Sequence, residues 1–211
     1  MQNLRNLNYS RKGIACHVRF FFVSERVILG SGIKRGLKEW SDWMDVKFPI
    51  GQLTVPDEVT LDDVQQWLTD IAHYTDKLRE TVAHLDDDEL AKTYREGAWN
   101  VRQLVHHIAD SQLNMYQRLK LALTDDNPTV PAFNQDKWAV LADTELPIES
   151  SLMMLDGINQ RIVALGKTIT PQQLTRTFTH EENGPITVAT KLAKLAWHEN
   201  HHLAHIKIAL A

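Results

Sequence analysis

Four histidines lie within eight residues near the end of the chain: His198, His201, His202 and His205. Glu199 follows the first of them, so residues 198–202 fit the H-E-x-x-H pattern of zinc peptidases, in which the glutamate is the general base. Imidazoles four residues apart on a helix project to the same side and can bind one divalent cation. The spacing therefore predicts metal chemistry, and another element must supply a third ligand.

The rest of the sequence does not favour a zinc peptidase. Only nine residues follow His202, and their one histidine, His205, is too close to His202 for the usual third ligand. Helical geometry also places Glu199 in the middle of the apolar face rather than beside the histidines. We therefore interpret the match as coincidental and expect Glu199 to orient a ligand or to close a buried polar network.

The direction of each side chain on the last helix selects two of its histidines. The apolar face is formed by Val188, Leu192, Leu195, Leu203, Ile206 and Leu210. His202 lies at the edge of this face and His198 next to it, whereas His205 and His201 are turned further away.

A second long helix offers the third ligand. Its apolar stripe is formed by Val101, Leu104, Ile108, Met115 and Leu119. His107 lies on the flank of the stripe, while His106 lies near the opposite side. We predict His107, His198 and His202 as the metal ligands. The remaining histidines are interpreted as structural or surface residues: His17, His73, His84, His106, His180 and His201.

Three polar residues follow His107 on the same flank: Ser111, Asn114 and Arg118. Such a row suits a polar pocket, and a solvated helix face is an equally good interpretation for Ser111 and Asn114. We take Asn114 and Arg118 as candidate catalytic residues. Arg118 would hold an anionic part of a substrate, and Asn114 or Ser111 would donate hydrogen bonds to developing charge.

Four amphipathic segments can position these residues, over 60–85, 100–124, 147–169 and 187–211. Thr60, Asn100 and Thr187 are the predicted N-caps, and Pro147 stands in the first turn of the third segment. A short helix over 86–94 and a small hairpin through Asn183-Gly184 complete the pattern. The predicted fold is an all-α four-helix bundle with a small hairpin or irregular loop before the last helix.

Composition limits the classes of function. The 211 residues are 43% hydrophobic and 24% charged with a net charge of −4, which is typical of a globular protein and favours neither nucleic-acid nor membrane binding. The single cysteine, Cys16, excludes an intramolecular disulfide and is compatible with a cytoplasmic protein. Glu25 and Arg26 interrupt the one N-terminal apolar run, which argues against a secretory signal.

The first 43 residues differ from the remainder. They carry a charge of +5, so the other residues carry −9, and they show no helical periodicity. We hypothesise that translation starts at Met44, that residues 1–43 are an extension outside the fold, and that residues 44–211 form the bundle domain.

Three stretches carry a family resemblance: "FPIG" at Phe48, "YREGAWNVRQLVHHIADSQLNMYQRLKLALT" from Tyr94 and "AWHENHHLAHI" from Ala196. They resemble the YfiT family of metal-dependent hydrolases, within the DinB-like four-helix bundle superfamily. The resemblance implies a homodimeric cytoplasmic protein with one Zn²⁺ or Ni²⁺ per subunit, held by His107, His198 and His202. The sequence departs from the family at Glu199, where a small or polar residue is usual.

Three neutral nitrogen ligands leave a coordination position open, which is the pattern of a catalytic metal site. The expected function is a metal-dependent hydrolase that activates water towards a small electrophilic substrate. A bacillithiol-type thiol S-transferase, with a low-molecular-weight thiol as cosubstrate, is the close alternative that the same superfamily suggests. A non-catalytic metal- or ligand-binding bundle is the third interpretation.

Overall fold

The computed structural model describes residues 46–211. The hypotheses on Met44, the 1–43 extension and Cys16 lie outside these residues. Within the described part of the chain, no helix is both long and apolar enough to cross a membrane.

Helices dominate the structure. Their bounds are α1 Leu61–Ala72, α2 Tyr74–Val82, α3 Asp87–Leu90, α4 Val101–Thr124, α5 Gln135–Trp138, α6 Glu149–Gly166, α7 Pro171–Leu174 and α8 Val188–Leu210, with a 3-10 turn at Ala142–Glu145. The helix predicted over 60–85 divides into α1 and α2 at His73, whose φ of −99° and ψ of 0° leave the regular helical range. The four-helix bundle predicted from the sequence is confirmed, with α1 and α2 together forming one of its four rods.

The helix starts follow the predicted capping chemistry. Thr60, Asn100 and Thr187 each accept a hydrogen bond from the backbone N–H three residues ahead, and so satisfy a donor that the helix leaves unpaired. The third helix begins later than predicted: α6 starts at Glu149, two residues after Pro147.

A small sheet precedes α8. Strands β2 (Thr177–His180) and β3 (Gly184–Thr187) form the predicted antiparallel hairpin, and Gly184 has a φ of +72° at the end of its turn. Strand β1 (Thr129–Val130) pairs in parallel with β2, and the sequence did not reveal it because it is only two residues long. Since β3 runs directly into α8, the sheet fixes where the last helix begins.

Within residues 46–211, the buried apolar side chains form two core clusters. One lies between α1, α4, α6, α8 and the sheet, and the other surrounds α2 and the first turns of α4. Helices α1 and α6 approach closely at Gly166, where an added Cβ would lie 2.4 Å from Cδ2 of Leu68. The packing holds α4 against α8, which are the two helices that carry the predicted metal ligands.

Candidate metal centre

His107 on α4 meets His198 and His202 on α8. One ligand nitrogen from each of the three side chains lies within 4.8 Å of the others. The ring centroids are 5.2 Å apart for His107 and His198, 4.9 Å for His107 and His202, and 4.5 Å for His198 and His202. The three rings therefore converge from two helices, as the helical-wheel argument expected.

The surroundings keep these rings neutral. Burial lowers the pKa of His107 to about 4. The rings of His198 and His202 lie at the base of a cavity, and their desolvation, helped by the neighbouring imidazoles, lowers both pKa values well below the ordinary value. Neutral imidazoles offer the lone pairs that a divalent cation needs.

A second set of histidines also brings its nitrogens within 4.8 Å: His201, His202 and His205. In this set, however, both nitrogens of His205 already have partners. Its Nε2 lies 3.0 Å from the carbonyl oxygen of Val46, and its Nδ1 lies 3.3 Å from Nδ1 of His202. The set that contains His107 is therefore the better candidate for a metal.

The hydrogen bonds of His205 define the proton positions on His202. A carbonyl only accepts, so Nε2 of His205 carries the proton that is donated to Val46. Nδ1 of the neutral His205 ring is then an acceptor, and Nδ1 of His202 must donate to it. The lone pair of His202 is consequently on Nε2. Metal-binding histidines usually donate their other N–H in this way, which fixes the tautomer and the ring orientation.

Replacing His205 by alanine is expected to weaken metal binding about 10- to 100-fold, the range found when an orienting partner of a histidine ligand is lost. His205→Gln retains a carbonyl acceptor for His202 and an N–H donor for Val46, so it should restore most of the affinity. Competition with a chelating dye measures both values. Equal affinities for the alanine and glutamine variants would contradict the orienting role.

A cavity of about 310 Å³ opens above the three histidines. Trp99, Phe133 and Trp197 contribute aromatic walls, and Ser111 and Arg118 from the predicted polar row also line it. Oγ of Ser111 lies 3.3 Å from Nε2 of His107. Asn114 is not among the lining residues, because its side-chain amide donates 2.9 Å back to the carbonyl of Asp110. The structure therefore places Arg118, but not Asn114, where it can contact a substrate.

Two lysines that the sequence analysis did not single out line the same cavity. Lys191 and Lys194 precede His198 by seven and four residues, so all three share one side of α8. This helical spacing was visible in the sequence. Lysines on a helix are usually solvated, so the spacing alone does not indicate a site, whereas Lys191 is only 2% exposed in the structure.

Glu199 points away from the three histidines into the bundle core. It is fully buried, and its Oε1 accepts a 2.7 Å hydrogen bond from Nδ2 of Asn159. Asn159 in turn accepts from Gln112 and contacts Thr75, so the network joins four elements of the bundle. Burial raises the pKa of Glu199 well above its ordinary value. Glu199 thus takes the second of its two predicted roles, that of closing a buried polar network.

Two of the other histidines have structural roles. The ring of His106 is buried, with Nδ1 2.7 Å from Oγ of Ser151 and Nε2 3.1 Å from the carbonyl of Leu146, so it ties α4 to α6. His180 in β2 accepts a 3.2 Å hydrogen bond from the N–H of Glu182 in the hairpin turn. His201 stacks on Trp197, with ring centroids 4.4 Å apart.

Comparison with known proteins agrees with this picture. A family model described as the DinB superfamily matches residues 71–206. A protein of Oceanobacillus iheyensis is 66% identical over 168 residues, which are 80% of this chain and 97% of the relative. A protein of Halalkalibacterium halodurans is 47% identical over 167 residues, 79% of this chain and 98% of the relative. The names of both relatives assign them provisionally as metal-dependent hydrolases.

Among solved structures, YfiT from Bacillus subtilis superimposes with a TM-score of 0.75 at 34% sequence identity, covering 77% of this chain and 94% of YfiT. YfiT is described, again provisionally, as a metal-dependent hydrolase with an unusual four-helix bundle topology.

Proposed function

We propose that this chain, which belongs to the DinB superfamily, is a metal-dependent hydrolase in which His107, His198 and His202 hold one divalent cation, Zn²⁺ or Ni²⁺. The observation that carries the proposal is the convergence of three neutral imidazoles from α4 and α8 at the base of a cavity. The hydrolase names of its relatives support the same class of reaction.

The residues at the site fit such a cation. All three candidate ligands are nitrogen donors, which suit Zn²⁺ and Ni²⁺, and no carboxylate belongs to either histidine set found in residues 46–211. Nδ1 of His198 is buried without a hydrogen-bond partner in the described part of the chain, so this polar atom lacks the partner that burial normally requires. A bound divalent cation supplies Lewis-acid chemistry and a water of lowered pKa.

The chain itself contributes binding and positioning. The aromatic walls of the cavity shield the site from bulk water and offer a surface for an apolar substrate body. Oγ of Ser111, beside His107, can donate a hydrogen bond to a polar substrate atom. Arg118 adds a positive charge to the cavity wall. A cavity of about 310 Å³ is large enough for a small substrate, which favours an enzyme over a bundle that only stores metal.

The test is a substrate panel on the metal-loaded protein, with esters, amides and other small electrophiles assayed in buffer and in buffer with an added low-molecular-weight thiol. Turnover in buffer alone is expected, and His107→Ala should abolish it. Turnover that requires thiol would replace the hydrolase proposal by the S-transferase alternative. Absence of turnover in both conditions, with normal metal content, would support the non-catalytic alternative.

Homodimer formation and a cytoplasmic location stay predictions from the family resemblance. The absence of nucleic-acid and membrane partners likewise stays a prediction from composition.

A further inference from the structure

We infer that the substrate of this cavity carries an anionic group, a carboxylate or a phosphate, which Lys191 and Arg118 bind on the wall beyond the three histidines. The inference rests on the proposed function, because it concerns the same cavity, and it adds the class of molecule that the cavity accepts.

Lys191 is the first observation. Its side chain is 2% exposed, yet it lines the cavity, and its Nζ lies 5.1 Å from the ring centroid of Phe178. The ion pairs found within residues 46–211 join Arg79 to Glu149 and Arg102 to Asp87, and neither involves Lys191. Buried lysines are rare unless they are paired, so this ammonium group lacks the counterion that its position calls for.

Arg118 is the second observation, and it comes from a different helix. It is 8% exposed, and its guanidinium donates one 2.7 Å hydrogen bond to the carbonyl of Pro131. Neither Arg118 nor its neighbour Lys194 takes part in the two ion pairs found in the described residues. Glu182 is the acid whose charge acts on Arg118, but it is exposed and does not pair with it.

These cations repel one another. Burial, together with the charges of Lys194 and Arg118, lowers the pKa of Lys191 to about 7. Burial, and after it the charge of Arg118, also lowers the pKa of Lys194. A bound anion would reverse both effects, because an opposite charge nearby favours the protonated lysine. The cavity thus offers an anion three basic side chains that take part in no ion pair found within residues 46–211.

The type and placement of these groups define the ligand. An arginine fork and a lysine ammonium together suit the oxygens of a carboxylate or a phosphate. Lys191 lies seven residues before His198 on α8, which corresponds to roughly 10 Å along the helix axis. Trp99, Phe133 and Trp197 line the same cavity. The arrangement fits a small molecule with an apolar or aromatic body, its reactive bond at the histidines and its anionic end at Lys191.

The experiment compares three probes of similar size, benzoate, phenylphosphonate and neutral benzamide, with binding followed by tryptophan fluorescence. The full-length protein is used both loaded with metal and stripped by a chelator. In both states at least one anion should bind about 10- to 100-fold more tightly than benzamide, the factor that a hydrogen bond to a charged group contributes. Tighter binding of benzoate would indicate a carboxylate as the anionic group of the substrate, and tighter binding of phenylphosphonate would indicate a phosphate.

Lys191→Met retains the apolar stem over Phe178 and removes the charge, so it should abolish most of the preference for anions. Arg118→Gln should do the same, and it provides a second variant if the first one lowers the melting temperature. Lys120→Met is the matched control, because Lys120 is exposed on α4 and does not line the cavity. Its anion binding should equal that of the wild type.

A wild type without preference for anions, or a preference that survives in both cavity variants, would overturn the inference. Anion binding that appears only in the metal-loaded protein would also overturn it, because the anion would then sit on the cation. A different result would contradict the proposed function alone. If the metal-free protein binds the anions but the metal-loaded protein turns over no ester or amide, the anion subsite is supported and the hydrolase is contradicted.

Discussion

Replacing His107, His198 or His202 by alanine is expected to remove the divalent cation from the protein, with affinity falling by more than about 100-fold. The loss should exceed the 10- to 100-fold effect of removing an orienting partner, because each change deletes a donor nitrogen itself. The three nitrogens lie within 4.8 Å of one another on two helices, so the remaining pair cannot replace the missing donor. Metal per chain, measured after loading with one equivalent and desalting, should fall from about one to near zero.

His201→Ala is the control, because it separates the two histidine sets. The ring of His201 stacks on Trp197 and belongs only to the set with His202 and His205. Removing this ring should therefore leave the metal content near one per chain. His202 belongs to both sets and cannot distinguish them. Metal loss in His201→Ala with retention in His107→Ala would show that the other set binds the cation.

Glu199→Gln is expected to retain metal, and its activity should stay within a few-fold of the wild type. In the wild type, the Glu199 side chain lies in the core network with Asn159, and burial raises its pKa well above the ordinary value. The carboxyl therefore favours the protonated form, which cannot act as a base. Glutamine preserves the acceptor for Asn159. A general base of the zinc-peptidase type would instead contribute about 10²- to 10⁴-fold to the rate. Steady-state rates at equal metal content decide between the two roles.

Glu199→Ala tests the structural role of the same side chain. It leaves the buried amide of Asn159 without its main acceptor, so the free energy of unfolding should fall by about 1–3 kcal/mol. Glu199→Gln should lie within about 1 kcal/mol of the wild type in the same denaturant titration. A glutamine variant that keeps its metal and stability but loses more than about 100-fold in activity would contradict our assignment and restore the peptidase interpretation.

Much of the bundle followed from local signals in the chain. The caps at Thr60, Asn100 and Thr187 were predictable because each side-chain oxygen bonds a backbone N–H only three residues away. The facing of His107, His198 and His202 was predictable because a helix fixes the direction of its side chains. The sequence does not predict the break at His73 or the two-residue strand β1, since neither has a periodic pattern of its own.

The candidate site was predictable only in part. Periodicity placed Ser111, Asn114 and Arg118 on one flank, but it could not show that Asn114 bonds its own helix at Asp110 while Arg118 reaches the cavity wall. Periodicity also could not show that Lys191 is buried. Its burial depends on the hairpin, whose Phe178 packs against the Lys191 side chain.

By itself, the sequence determined the four rods of the bundle, the caps at Thr60, Asn100 and Thr187, and the sides on which the histidines project. These properties depend on residues within one or two turns of each other. The tertiary structure decided which side chains from different elements meet. It brought His107 to the α8 pair, gave His205 the Val46 carbonyl as a partner, and enclosed Glu199 in the core. Such contacts join positions far apart in the chain, and the packing of whole elements fixes them where local periodicity cannot.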